Sequence, residues 1–426
     1  MPKQKNYEFI DLKYVDLLGK LRHVTFPYTN YETAKTVGIG FDSSSLKGFK
    51  QTEKSDMVLI PSHEHTFIDP FYTDPTLSMF AKIYYIDRKT RYEREPRYIL
   101  EKAIDMVKKE LKLDAILFLA ELEFYVFSQF EINQSNTKLT VTVESDEKEA
   151  ALTGSYHSAP PHDLYAEHRN RLVKILKSCG IDVKYHHHEG GEFGQMEIEM
   201  TFKDASITAD NIIIAKYLIK NYFRSQGKYV TFMPKPIKNR HGSGMHYHHI
   251  LEKNGHSIFK GPKGELSQIG EYYVSGILSH LAALAALTNP TTNSYKRLTG
   301  GFETAKDASI GIADRTSAIR IPGYAKDQMP IEYRVGDATC NPYLALAALL
   351  LAGLDGVRNK GKLKKGFVPT SLQEAVNELK KDSTFLTRDK IFTPELIDFW
   401  VQNKKRENLE IQHTPHPLEF VYYFDM

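Results

Sequence analysis

Four apolar segments each carry two ionisable residues two positions apart. FLAELEFYVF holds Glu121 and Glu123, GQMEIEM holds Glu197 and Glu199, GSGMHYHHI holds His246 and His248, and IEYRVGD holds Glu332 and Arg334. Residues i and i+2 of a strand point to the same face, so each pair projects together from an otherwise apolar strand. One such pair is ordinarily the solvated face of an edge strand. Four in one chain, joined by Glu189 in YHHHEGGE, point instead to carboxylates gathered out of solvent, and buried carboxylates need a cation. Five carboxylates with one or two histidines suit hard divalent ions such as Mg2+ or Mn2+. Zinc fits less well, because the chain has no HExxH and no cysteine pair.

A second group is basic: Arg297 in NSYKRLTGG, Arg315 and Arg320 in DRTSAIRIP, and Arg334. Surface exposure is the usual fate of arginine, but Arg320 and Arg334 sit among Ile319, Ile321 and Ile331, and a buried arginine needs an anion. Metal-holding carboxylates close to arginines that bind phosphate or carboxylate make a phosphoryl-transfer site. Nucleotide motifs add nothing to this. The run from Gly356 to Lys362 starts like a P-loop, but Leu363 stands where Ser or Thr is required and a helix precedes it instead of a strand.

The elements that must position these groups follow from periodicity. Residues 6–90 read mostly as short strands and turns, with Tyr7–Leu12 and Lys20–Phe26 forming a hairpin about Leu18-Gly19. From Pro96 onward helices alternate with strands. Leu100, Ile104, Val107 and Leu111 keep helical spacing, as do Leu172, Ile175, Leu176 and Cys179 before Gly180. Ile213–Phe223 and Tyr273–Leu287 each read as a largely buried helix. Ser371-Leu-Gln-Glu374 is a capping box, and Thr393-Pro394 opens another helix. The boundary falls in the charged stretch Arg88–Glu95, giving domains at 6–90 and 96–426.

Composition narrows the class. The 426 residues are 41% hydrophobic and 26% charged, as in a folded multi-domain enzyme. A net charge of +3 leaves no electrostatic footprint for nucleic acid or an anionic membrane. No segment approaches the roughly 18–20 apolar residues of a membrane span. The opening MPKQKNYEFIDL lacks the apolar core of a secretion signal, so the expected location is cytoplasmic. Two cysteines, Cys179 and Cys340, cannot build a disulfide framework.

Taken in order, GFDSSSLKGF with KSDM, ELEF, HHHEGGEFGQMEIE, TFMPKP with GSGMHYH, NPTTNSYKRL, DRTSAIRIP, IEYRVGDATCNPYLALAALLLAGLDGV and HTPHPLEFVYYF resemble type I glutamine synthetase, the ATP-dependent glutamate–ammonia ligase. The resemblance spans nearly the whole chain. It implies an α+β fold: an N-terminal β-grasp domain, then a large catalytic domain whose curved antiparallel sheet is flanked by helices. It further implies two or more Mg2+ or Mn2+ ions, one on Glu123, Glu189 and Glu197 and another on Glu121, His246 and Glu332. Arg297 would grip the α-carboxylate of glutamate, with the Gly242 backbone near its amino group. Arg315 and Arg334 would stabilise the transferred phosphoryl group, while Arg320 and His248 would lie toward the ATP phosphates. Asp42, Ser45, Tyr156, Glu189 and Glu303 match the ammonium pocket. In the family the β-grasp domain caps the neighbouring subunit's sheet within two stacked hexameric rings, so Asp42 would serve the next subunit of a homododecamer.

The chain departs from the family pattern at several positions. His241 stands where an asparagine is usual, Phe302 follows Gly300-Gly301 where proline, glycine and tyrosine are usual, and Asp314 precedes the phosphate arginine. Ile250 replaces a common hydroxyl, Pro330 replaces an arginine that meets ATP, and the Gly356–Pro369 loop is short and contains no tyrosine to adenylylate. No metal ligand is lost. Two other readings compete: a γ-glutamyl ligase for an organic amine, which would have lost the ammonium-pocket acid, and a catalytically weak relative, which would have lost metal ligands.

Overall fold

The computed structural model describes residues 7–49, 54–135, 138–147, 154–301, 304, 305, 307–325 and 328–424. The N-terminal part is a five-stranded sheet in the order Leu21–Pro27, Phe9–Val15, Thr76–Tyr85, Asp56–Ile68, Ile39–Asp42. The anticipated hairpin is its edge, with Val15 opposite Leu21 and Phe9 opposite Pro27. A short helix, Tyr31–Val37, covers part of the sheet.

The second sheet carries the chemistry. Its main path runs Asp307–Ile312, Ser317–Ile321, Ile331–Tyr333, Met245–Lys253, Ala115–Phe127, Gln195–Met200, Val183–His188, and every neighbouring pair except the first is antiparallel. The central strand Ala115–Phe127 shows why the pattern works. Phe118, Leu122 and Phe124 are fully buried and alternate with Glu121 and Glu123 on the opposite face. Behind it lies the helix Ala205–Ser225, whose Thr208 hydroxyl donates to the Phe118 carbonyl at 2.9 Å. Each fully buried leucine, isoleucine or phenylalanine here contributes about 1.5–3 kcal/mol, which holds the acidic face in place from behind.

Two helices beneath the sheet approach backbone to backbone. Gln268–Ser279 crosses Pro342–Asn359 where Gly276 meets Gly356. A Cβ on Gly276 would sit 2.1 Å from the Ala352 carbonyl oxygen, and one on Gly356 would sit 2.2 Å from that of Tyr272. The expected single helix over Tyr273–Leu287 is in fact two, Gln268–Ser279 and Leu281–Thr288. They meet at His280, whose ring bonds Asp382 at 2.6 Å and Asp355 at 3.2 Å and stacks on Phe385. The first piece packs on Pro342–Asn359 and the second on Leu372–Lys381, so the bend serves two partners. The capping box at Ser371 is half formed. Ser371 accepts from the Glu374 N–H at 3.2 Å, but the Glu374 carboxylate turns to the N–H of Thr370. No helix among the described residues is long and apolar enough to cross a membrane.

Candidate active site

Strand register turns the four pairs of the sequence into rows on one face. His187 lies opposite Glu197, and Glu197 opposite Glu123. One step along, Glu199 lies opposite Glu121, and Glu121 opposite His246. On the far side His248 lies opposite Glu332, and Glu332 opposite Arg320. Residues far apart in the chain thus become cross-strand neighbours, close enough for their side chains to interact.

These rows form the floor of a cleft lined by Glu121, Glu123, Tyr156, Glu189, Glu197, Gly242, His246, Arg297, Arg315, Arg320, Glu332 and Arg334, all anticipated from the sequence. His248 sits just behind, its Nε2 2.8 Å from Glu121. Asp42 and Ser45 are elsewhere: Asp42 ends the strand Ile39–Asp42, exposed, and caps the short turn Ser43–Ser45. Neither lines this chain's own cleft. Glu303 and Phe302 lie outside the described residues. The structure adds His187, Tyr185, Thr304 and Tyr324 to the lining and places His241, the departure noted in the sequence, there as well. His187 lies on the strand Val183–His188, and Glu189 just past its end; nothing within the histidine run singled it out.

The charges divide the cleft. Glu121 accepts from both histidines, His246 at 2.7 Å and His248 at 2.8 Å. Burial alone would raise its carboxyl, but His248 and His246 outweigh that and hold it well below the usual range. Glu332 is bridged by the guanidiniums of Arg320 and Arg334; burial is again overcome, by His248 and Arg334, and its carboxyl is lowered. Glu197 goes the other way. Burial and the charges of Glu121, Glu123 and Glu189 push it well above the carboxylate range. Asp42 is held at about 2, first by the Ser44 side-chain hydrogen bond and then by the Ser44 N–H and Ser55.

The HGSG loop is pinned from below. Tyr125 donates to the His241 carbonyl at 2.7 Å, Gln195 to that of Gly242 at 3.0 Å, and Glu123 accepts the Gly244 N–H at 2.9 Å. Arg297, buried, donates to the Val335 and Gly336 carbonyls at 2.9 and 3.1 Å. Asp314 does not crowd the arginine beside it: its oxygens accept from the Thr316 N–H at 2.9 Å and the Ser317 hydroxyl at 3.0 Å within its own turn. The Arg320 Nε is buried with no partner among the described residues, an unused donor at the cleft.

The donor set fits divalent metal. Ligand atoms of Glu121, His248 and Glu332 lie within 4.8 Å of one another, as do those of His187, Glu189 and Glu197 and those of Glu121, Glu197 and Glu199. Glu199 Oε2 is buried without a hydrogen-bond partner among the described residues. Repelling, buried, oxygen-rich groups of this kind are what a hard cation relieves.

Comparison with known proteins agrees. The family descriptions "Glutamine synthetase, beta-Grasp domain" and "Glutamine synthetase, catalytic domain" match residues 6–86 and 93–423. A glutamine synthetase of Frankia alni is 37% identical over 462 residues, covering 100% of this chain and 98% of that one. That of Escherichia coli K12 is 36% identical with the same coverage. A Plasmodium falciparum glutamine synthetase structure superposes with a TM-score of 0.93 at 26% identity, covering 99% of this chain and 97% of the other. Fold and cleft therefore define an ATP-using ligase of carboxylate to amine. The chain belongs to the glutamine synthetase family, and the activity that goes with it is glutamate–ammonia ligation with ATP and divalent metal.

Proposed function

We propose that this cleft joins ammonium to the γ-carboxylate of L-glutamate by way of γ-glutamyl phosphate, each group acting as follows. The observation that carries the reading is the acidic ladder in register beside four arginines. Glu123, Glu189 and Glu197 hold one Mg2+ or Mn2+, and Glu121, His246 and Glu332 hold another. Bound there, the ions offset charge on ATP and on the transferring phosphoryl oxygens.

The remaining steps belong to the chain's own residues. Arg297 and the Gly242 backbone orient glutamate, so that its γ-carboxylate faces the ATP phosphates. Arg320 and His248 align those phosphates, and the unused Arg320 Nε is suited to the task. Arg315 and Arg334 stabilise charge as the phosphoryl group moves. A carboxylate has no leaving group, and phosphorylation supplies one. Asp42, Ser45, Tyr156, Glu189 and Glu303 then collect ammonium. A carboxylate of this pocket takes one proton, the freed ammonia attacks the acyl carbon, and the phosphate that leaves accepts the second proton. Asp42, exposed on its own chain and anionic, is placed to attract the cation and to accept a proton from it.

The absence of Asp42 and Ser45 from their own cleft supports a site shared between subunits, in a homododecamer of two hexameric rings. The last helix, Pro417–Tyr423, supports it too, since Phe420, Val421, Tyr422 and Tyr423 are all exposed and fit a second copy of the chain. The domains divide near residues 90–96, and the enzyme works in the cytoplasm, where ATP and glutamate are supplied. Phosphate release from ATP and glutamate, with ammonium, hydroxylamine, ethanolamine or putrescine in turn, tests the reaction. Ammonium is expected to give the highest kcat/KM; a higher value for putrescine or ethanolamine would sink the assignment. Native mass spectrometry tests the assembly.

A further inference from the structure

We propose that His187 is a nitrogen ligand of the metal held by Glu189 and Glu197, and that it tilts this position away from magnesium toward manganese and cobalt. The proposal rests on the reading that the cleft holds divalent ions.

His187 lies opposite Glu197 in the sheet and so shares its face. Its Nδ1 is 3.0 Å from the His188 carbonyl oxygen, which can only accept. Nδ1 therefore carries the hydrogen, and the lone pair of the neutral ring is on Nε2. That atom faces Glu197 Oε1 at 3.7 Å, and Glu189 Oε2 lies 3.6 Å from the ring's other nitrogen. A gap of 3.7 Å is too long for a hydrogen bond. It is a natural span for two ligands of one ion, which at bonds of about 2.0–2.2 Å stand about 3–4 Å apart. A backbone carbonyl fixing the far nitrogen is also the usual support behind a metal-binding histidine.

The ring is held on several sides, by the edges of Tyr156 at 5.3 Å and His157 at 4.5 Å and by a stacked Tyr185 at 6.0 Å. Glu123, the third acid expected at this position, already spends one oxygen on the Gly244 N–H. An imidazole in the donor set matters chemically. Magnesium favours oxygen ligands, while nitrogen affinity rises along the series from manganese through cobalt.

The test is calorimetric titration of the full-length protein with Mg2+, Mn2+ and Co2+, in wild type, His187→Gln and the packing control His157→Gln. His187→Gln is expected to weaken one site about 10–100-fold for Co2+, somewhat less for Mn2+, and under about 3-fold for Mg2+. His157→Gln is expected to change all three ions alike. Equal weakening of all three ions in His187→Gln, or none, would overturn the proposal. A wild-type protein that binds no divalent ion would instead remove the metal reading itself. His187→Cys gives an independent readout: Co2+ should produce a thiolate-to-cobalt charge-transfer band in the near ultraviolet, and a Co2+-saturated variant without that band also overturns it.

Discussion

The two halves of the cleft solve the same electrostatic problem differently. Around Glu332 the protein supplies its own counter-charges: Arg320 and Arg334 grip one carboxylate, while His246 and His248 grip its neighbour Glu121. Around Glu197 it supplies few, and Glu121, Glu123 and Glu189 repel it across a buried surface. The first half is therefore formed before anything binds. The second is an acidic site whose charge is balanced by what arrives. Such a division lets the charge-balanced side align substrate phosphates alongside the ion proposed for Glu121, His246 and Glu332, while the other side attracts its cation through unbalanced charge.

Substitutions can break this contrast, and the largest effect should come from Glu332→Ala. It strands two buried guanidiniums, at a cost of about 3–5 kcal/mol, read as a lower denaturation midpoint in metal-free protein, and it abolishes ligase activity. Glu197→Gln should act in the opposite sense on stability. Removing a repelled charge should raise the metal-free midpoint by an amount on the order of 1–2 kcal/mol, although activity is lost with the ligand. A midpoint lowered in Glu197→Gln would show that the second half is not strained. Asp42→Asn lies outside both halves, keeps an acceptor for the Ser44 N–H and should lower stability only slightly. It should raise KM for ammonium about tenfold and lower kcat while glutamate-dependent ATP hydrolysis persists slowly.

The smallest effect is in the pH profile of metal-free stability, no steeper than about 1.4 kcal/mol per pH unit for each proton. Glu121 and Glu332 bind their protons less tightly folded than unfolded, so their contribution is present above the ordinary value of 4.5 and fades as pH falls below it. Glu197 binds its proton more tightly when folded, so its ionisation erodes stability as pH rises above 4.5. Thermal melts from about pH 2.5 to 8 should show both limbs. Glu197→Gln should flatten only the alkaline one.

Much of this was legible in the residues. The i, i+2 pairs announced four strands with one chemical face, and all four are strands whose paired residues reach or back the same cleft. Local spacing could not reveal which row met which, because Glu121 and Glu332 become neighbours only through strand order. The histidine run at 186–188 concealed its own phase. His186 bonds Arg169 and His188 bonds Glu147, leaving His187 alone on the cleft face, and those partners lie in distant segments. The bend at His280 was hidden for the same reason, since Asp355 and Asp382 decide it from other helices.

The crossing at Gly276 and Gly356 has a consequence for how such an enzyme can diverge. Side chains that line the cleft can be exchanged singly, and a substrate preference can drift by small steps. The spacing of these two helices has no side chain to trim, so it cannot drift. Any larger residue at either glycine must push whole backbones apart, and Pro342–Asn359 is joined to the strand Ile331–Tyr333 by only the short segment from Arg334 to Asn341. The crossing therefore fixes the frame more tightly than the lining: neither glycine can take a side chain without moving the helix that leads back to the acidic strand.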